Sequence, residues 1–198
     1  MDKEHMDMSS IKDDKLTFAA ESDIKSAEHP AKLWKLMIVD DEKEVHDVTR
    51  IALDGFSLKG AGIDLISAYS GKEAKQLISE NPYTAVILLD VVMETDDSGL
   101  DVVRFIREKL KNKMVRIILR TGHPGQAPER KVITEYDIND YREKTELTSK
   151  KLFTSVATAL RSYLDLQIID KNRKGLEQII KASGNLLKLR SLKQFTQG

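Results

Sequence analysis

Ala85-Val86-Ile87-Leu88-Leu89-Asp90 is a run of apolar residues closed by a carboxylate. An unbroken apolar run, bounded by polar residues, reads as a strand covered on both faces. A half-exposed strand would alternate instead. Doubly covered strands belong to parallel sheets with helices packed on each side. Such a strand requires helices and further apolar strands around it in the sequence.

Both directions supply them. Towards the N-terminus, Asn81-Pro82 closes a helical stretch over Gly71 to Glu80, and Ile63 to Ala68 is an apolar strand before it. Val45, Val48 and Ala52 recur at helical spacing within Glu44 to Leu53. Lys35 to Val39 is a strand that runs into Asp40-Asp41-Glu42. Towards the C-terminus, Leu100, Val103, Ile106 and Leu110 mark one helical face, and Val115 to Leu119 is a fourth strand. The loop Gly122-His123-Pro124-Gly125 precedes a short helix near Pro128 to Glu135. Ile138 to Tyr141 is a fifth strand, and Thr148 to Leu164 is an amphipathic helix. Strand and helix alternate five times, which predicts an α/β fold: a five-stranded, parallel, doubly wound sheet with a C-terminal helical extension.

The flanks differ from this centre. Residues 1–30 hold four lysines against eight acids, with little periodicity, so 1–32 is expected to be a disordered acidic tail. Met1, Met6 and Met8 leave the natural start open. Residues 33–165 form the folded domain. Residues 166–198 are basic, with seven Lys or Arg against Asp170 and Glu177. No Pro or Gly occurs from Thr148 to Asn172, and Ile169, Leu176, Ile179, Ile180, Leu186, Leu187 and Leu189 recur at roughly helical spacing. Asn172 and Ser183 interrupt that stripe. Gly175 and Gly184 each cost a helix about 1 kcal/mol relative to Ala. A lone helix of this kind is marginal in water, so residues 166–198 are expected to be a helical linker or a dimerisation extension, pairing with a second copy as a parallel homodimer tightened by phosphorylation; the alternative is a frayed tail.

Composition excludes several classes. The 198 residues contain no cysteine, which removes disulfides, thiolate metal sites and Cys nucleophiles. Lys plus Arg and Asp plus Glu each number 32, so no global basic field points to specific nucleic acid binding or an anionic membrane. His5, His29, His46 and His123 form no cluster with metal-ligand spacing. No apolar run approaches the ~18 residues of a membrane span. No secretory signal opens the chain, and a cytoplasmic location is expected.

In a doubly wound sheet the ligand crevice lies beyond the carboxyl ends of the strands. Strand one ends in Asp40-Asp41-Glu42, strand three in Asp90, strand four near Thr121 and strand five near Tyr141, with Lys144 three residues on. Asp40, Asp41 and Asp90 brought together would repel one another, and a hard divalent cation removes that penalty. Carboxylates without nearby His or Cys suit Mg²⁺. Lys144 can hold an incoming phosphoryl group, Thr121 can donate a hydroxyl hydrogen bond to it, and Asp90 is the best-placed nucleophile.

Five stretches stand in order: Met37-Ile38-Val39-Asp40-Asp41-Glu42, Val86 to Met93, Gly99-Leu100-Asp101-Val102-Val103, Leu119-Arg120-Thr121-Gly122 and Asp140-Tyr141-Arg142-Glu143-Lys144. Together they resemble the receiver domain of bacterial two-component response regulators, over roughly Leu33 to Leu164. The resemblance implies a flavodoxin-like topology and a phosphorylation-dependent switch. Asp90 would accept phosphate from a histidine kinase, a phosphotransfer protein or a small phosphodonor. Asp40, Asp41, Asp90 and the carbonyl of Val92 would hold Mg²⁺. Thr121 and Lys144 would engage the phosphoryl group, and Tyr141 falls at the aromatic switch position. It implies no enzyme beyond the protein's own phosphoryl transfer and dephosphorylation.

Two departures stand out: Glu94 follows Met93 where the family usually has Pro, and Thr145 follows Lys144 where it again has Pro. The stretches Val91 to Asp97, Arg120 to Arg130 and Tyr136 to Tyr141 resemble a narrower subgroup, in which the receiver precedes a cyclic-di-GMP phosphodiesterase (HD-GYP) or cyclase (GGDEF) region. His46-Asp47 is an HD dipeptide on the first helix, read as chance. The alternative is an aspartyl-phosphate-forming phosphatase of the haloacid dehalogenase type. It needs an acid two residues after the nucleophile, where this chain has Val92. A DNA-binding regulator would need a helix-turn-helix module, for which about thirty residues after the receiver are too few.

Overall fold

A computed structural model describes residues 33–122, 130–144 and 148–195, and within these the side chains other than those of 130–132 and 184–195. The expected acidic tail, His123 and Thr145 lie outside the described residues, as do the side chains of Leu186, Leu187 and Leu189.

Five strands form one sheet: β1 Leu33–Val39, β2 Gly62–Ala68, β3 Val86–Asp90, β4 Arg116–Thr121 and β5 Asp140–Glu143. All neighbours are parallel, in the order β2-β1-β3-β4-β5. Among the described residues, five α-helices alternate with them: α1 Lys43–Ala52, α2 Gly71–Glu80, α3 Ser98–Arg104, α4 Arg130–Glu135 and α5 Ser149–Phe195. The expected sheet is therefore present. The central strands β3 and β4 are buried throughout, as their apolar centres Val86 to Leu89 and Ile117 to Leu119 require.

Successive residues of a strand face opposite sides, so each strand feeds two cores. Leu36, Ile38, Leu88 and Ile118 pack with Leu152, Val156 and Leu160 of α5 on one side. Met37, Val39, Ile87, Leu89, Ile117 and Leu119 pack with Ala74 and Ile78 of α2 and Val102 and Val103 of α3 on the other.

Local chemistry sets the element ends. Ser70 caps α2 by accepting from the Glu73 amide at 3.1 Å, while the Glu73 carboxylate accepts from the Tyr69 amide at 2.7 Å. β1 starts at Leu33, two residues earlier than its apolar run suggests. Trp34 is buried there, and its Nε1 donates to the Leu58 carbonyl at 3.2 Å. The face of Leu100 to Leu110 is helical as expected, but its last turn, Phe105–Lys109, widens to π geometry. Arg107 in that turn donates to the carbonyls of Tyr136, Asn112, Val115 and Asp137, tying the turn to the starts of β4 and β5. β5 begins at Asp140 rather than Ile138: the Asn139 amide donates to the Ile117 carbonyl at 2.8 Å, but the Ile117 amide donates to the Asn139 side-chain Oδ1 at 2.9 Å.

Helix α5 continues past the domain it packs on. Tyr163 is 4% exposed, whereas Ile168, Ile169, Leu176, Ile179 and Ile180 are 53–69% exposed. Its 47 residues rise about 70 Å at 1.5 Å each. No helix among the described residues is long and apolar enough to cross a membrane.

Candidate functional site

The sheet register builds the site in rows. Ile38 pairs with Leu88, and Leu88 with Ile118, giving an apolar row across β1, β3 and β4. Two residues on, the same side of the same strands carries Asp40, Asp90 and Arg120. Asp90 and Arg120 are direct register partners. The sheet thus passes in one step from an apolar layer to a charged one, at the carboxyl ends where a doubly wound sheet binds ligands.

Asp40 and Asp90 are buried and Asp41 is exposed, and the three offer carboxylate oxygens within 4.8 Å of one another. This is the only such grouping among the described residues. An all-oxygen donor set with one open carboxylate fits a hard divalent cation such as Mg²⁺. Val92 sits in the turn beyond Asp90, with its amide 3.4 Å from Asp90 Oδ1.

Lys144 stands one residue beyond β5. Its Nζ lies 2.8 Å from Asp90 Oδ2, 3.1 Å from Asp40 Oδ1 and 2.7 Å from Glu42 Oε1. Burial works against the charge of this ammonium. The hydrogen bonds to Asp90 and Glu42, with the fields of Asp40 and Asp90, outweigh it and hold Lys144 above the ordinary lysine range. The Asp90 carboxyl is pushed up by burial, and the charge of Asp40 adds to that; Lys144 and the Val92 amide pull it down without cancelling the rise. Glu42, at the surface, is held below the usual glutamate value by its hydrogen bond to Lys144 and by that residue's charge.

Thr121 ends β4 and is fully buried. A side-chain hydrogen bond joins it to Tyr141, whose hydroxyl is raised chiefly by burial. The residues expected at the strand ends thus fall into two sets: Asp40, Asp41, Asp90 and Lys144 around one point, and Thr121 with Tyr141 on the neighbouring strands β4 and β5.

The loop after β3 depends on Gly99. A Cβ there would overlap the Asp90 carbonyl oxygen and come within 2.8 Å of the Val91 Cα. The Gly99 amide donates to the Val91 carbonyl at 3.0 Å. Glu94 turns away from the acids and accepts from the Gly71 amide at 2.9 Å, at the start of α2. That bond accounts for the acid where the family usually has Pro.

Three participants escaped the sequence reading. Arg120 was visible as a charge inside an apolar strand, two residues from Ile118 and therefore on the side of Asp90. Glu42 was read only as part of an acid triplet. His46 is not an idle half of an HD dipeptide: it is buried, and its Nε2 lies 2.8 Å from the Asp40 carbonyl. A carbonyl only accepts, so Nε2 carries the proton. Nδ1 lies 3.0 Å from the Ser67 hydroxyl oxygen, which accepts from Arg50 at 2.8 Å.

Comparison with known proteins agrees with this fold. The family model for the response regulator receiver domain matches residues 36–157. A model for a domain of unknown function (DUF3369) matches residues 156–198. The chain is 47% identical over 167 residues to the 3'3'-cGAMP-specific phosphodiesterase 2 of Vibrio cholerae, a match covering 84% of this chain and 32% of that protein. It therefore spans about a third of the length of that relative. The crystal structure of a CheY-like receiver domain protein from Methanospirillum hungatei superposes with a TM-score of 0.54 at 26% identity, covering 66% of this chain and 97% of that one. The receiver domain of an HD domain-containing protein from Pseudomonas fluorescens gives a TM-score of 0.58 at 18% identity, covering 69% and 93%, a likeness of fold.

Proposed function

Since the chain belongs to the response regulator receiver family, we propose that it is a phosphorylation-controlled switch that accepts a phosphoryl group on Asp90. The observation that carries this reading is the single ammonium of Lys144 within 3.1 Å of both Asp90 and Asp40. The donor is a histidine kinase, a phosphotransfer protein or a small acyl phosphate. An Asp90 carboxylate oxygen attacks phosphorus, and the donor's N–P or acyl O–P bond breaks as the new O–P bond forms. The leaving imidazole or acetate keeps the electron pair, and the imidazole then takes a proton from water. Asp41, Asp40, Asp90 and the Val92 carbonyl would hold Mg²⁺, which would offset the charge gathered by carboxylates and phosphoryl oxygens. Lys144 holds the arriving phosphoryl oxygens by charge, and Thr121 donates its hydroxyl to them.

Recruiting Thr121 to the phosphoryl group competes with its bond to Tyr141. The phosphorylated state therefore favours a different arrangement of that pair, and the population shifts. The change reaches output through α5, whose first turns are core and whose later turns leave the domain. The likeness to the Vibrio cholerae phosphodiesterase supports an output in cyclic-dinucleotide turnover, carried by regions of that relative which this chain does not span.

The test is incubation with acetyl phosphate and Mg²⁺, followed by intact mass. Wild type gains one labile phosphate. An Asp90→Asn variant that gains it at the same rate sinks the assignment.

A further inference from the structure

Arg120 is a full charge inside the core. Its side chain is 3% exposed, and its Nε and Nη2 have no hydrogen-bond partner. Nη1 donates to Thr49 Oγ1 at 3.0 Å, and that hydroxyl donates to the Val45 carbonyl at 2.6 Å, which anchors the guanidinium to α1. Nη2 lies 3.5 Å from Asp40 Oδ2, a buried oxygen also without a hydrogen bond. The other Asp40 oxygen is engaged by Lys144 at 3.1 Å and by the Glu42 amide at 3.1 Å. Asp40 therefore sits between two cations, one reached from the solvent side and one built into the sheet.

Burying a guanidinium with so few partners is costly, and apolar replacement of such pairs is often neutral or stabilising. Packing does not account for a charge at this place: the row beneath it, Ile38, Leu88 and Ile118, is filled by aliphatic side chains. What distinguishes the Arg120 row is its acids.

We propose that Arg120 is a resident counter-ion for Asp40, which neutralises part of the acid cluster in the cation-free protein and so sets its affinity for Mg²⁺ below that of the carboxylates alone. The inference rests on the reading of Asp40, Asp41 and Asp90 as a Mg²⁺ site. Arg120 acts through charge: a fixed positive group beside the ligands stabilises the empty site and repels an arriving cation, and both effects weaken cation binding. It is a positioning and tuning residue and touches no reacting atom.

Titration calorimetry of Mg²⁺ into the full chain tests this, with no phosphodonor present. Arg120→Met and Arg120→Gln remove the charge and should bind Mg²⁺ about tenfold more tightly. Arg120→Lys keeps the charge and should bind close to wild type. In chelator the two neutral variants should melt below wild type, and saturating Mg²⁺ should close most of that gap. Unchanged or weaker Mg²⁺ binding by a folded neutral variant overturns the counter-ion role. If neither neutral variant folds even in Mg²⁺, the pair Arg120→Met with Asp40→Asn, which removes both charges, must restore folding, and failure to do so overturns it as well. A wild type that binds no Mg²⁺ overturns instead the reading of the site.

Discussion

The Nζ of Lys144 stands 2.8 Å from Asp90 Oδ2, across a sheet in which β3 and β5 are separated by β4. The side chain is 16% exposed, so the contact is shielded and holds its charge more firmly than a surface pair. This one contact joins the proposed phosphoryl acceptor, Asp90, to the ammonium proposed to hold the phosphoryl oxygens.

Lys144→Met should therefore leave a folded protein that phosphorylates slowly. Losing one preorganised charge of this kind costs about a hundredfold in rate. A time course of intact mass with acetyl phosphate measures it, and a wild-type rate would remove Lys144 from the chemistry.

Asp41 is the carboxylate with free oxygens. Both oxygens of Asp40 face cations, whereas Asp41 is exposed and makes no ion pair among the described residues. Asp41→Ala should weaken Mg²⁺ binding by at least about tenfold, and by more than Asp40→Asn does. In chelator the same variant should melt a few degrees above wild type, because repulsion among the acids falls by about 1 kcal/mol. Calorimetry and thermal melts check the two halves separately.

The raised pKa of Asp90 predicts a pH dependence. A carboxyl whose folded pKa exceeds its unfolded value binds its proton more readily in the folded state. Its contribution then favours folding at low pH and is lost as pH rises from the ordinary aspartate value through the Asp90 value. Without Mg²⁺, wild type should thus lose stability relative to Asp90→Asn across that interval, and Mg²⁺ should abolish the difference. Paired melts of the two proteins in chelator and in Mg²⁺ isolate this group from the other acids.

The sheet was legible because its strands are continuous apolar runs, and the acids were legible because they close those runs. Ala85 to Asp90 announces both. Arg120 was harder to read, since its meaning comes from register: only pairing opposite Asp90 makes a strand-end arginine part of an acid site. The bond from Glu94 to the Gly71 amide joins residues far apart in sequence and leaves no local pattern. The π turn at Phe105–Lys109 goes with the four carbonyls gathered by Arg107, two of them beyond the next strand. Periodicity carries none of that information.

Gly99 is a sharp test of the loop that shapes the site. The added methyl of Gly99→Ala would strike backbone rather than a movable side chain, so the loop after β3 must shift. A cost of about 1–3 kcal/mol is expected from overpacking of this kind. The shift would also move the Asp90 backbone, so phosphorylation should slow more than stability falls. Denaturant melts and mass time courses compare the two. A variant as stable and as fast as wild type would show that the loop adapts freely.

The last prediction concerns α5. Its first turns bury Leu152, Val156, Leu160 and Tyr163 in the domain, and its later turns expose Ile168, Ile169, Leu176, Ile179 and Ile180. Exposed apolar residues at helical spacing are stable in water only if covered. Ile169, Leu176 and Ile179 fall seven and three residues apart, a coiled-coil spacing in which Asn172 takes one seam position. A polar seam residue of that kind lowers affinity while fixing register. Gly175 weakens the helix by about 1 kcal/mol more, so pairing is expected to be reversible and concentration-dependent. The extension is expected to form a parallel homodimer that phosphorylation of Asp90 tightens. Sedimentation of the full chain, of a version ending at Leu166, and of a full chain carrying Leu176→Glu with Ile179→Glu should give dimer, monomer and monomer. A full chain that stays monomeric at high concentration, with and without a phosphate mimic, removes the dimer and leaves α5 as a helix that leads elsewhere.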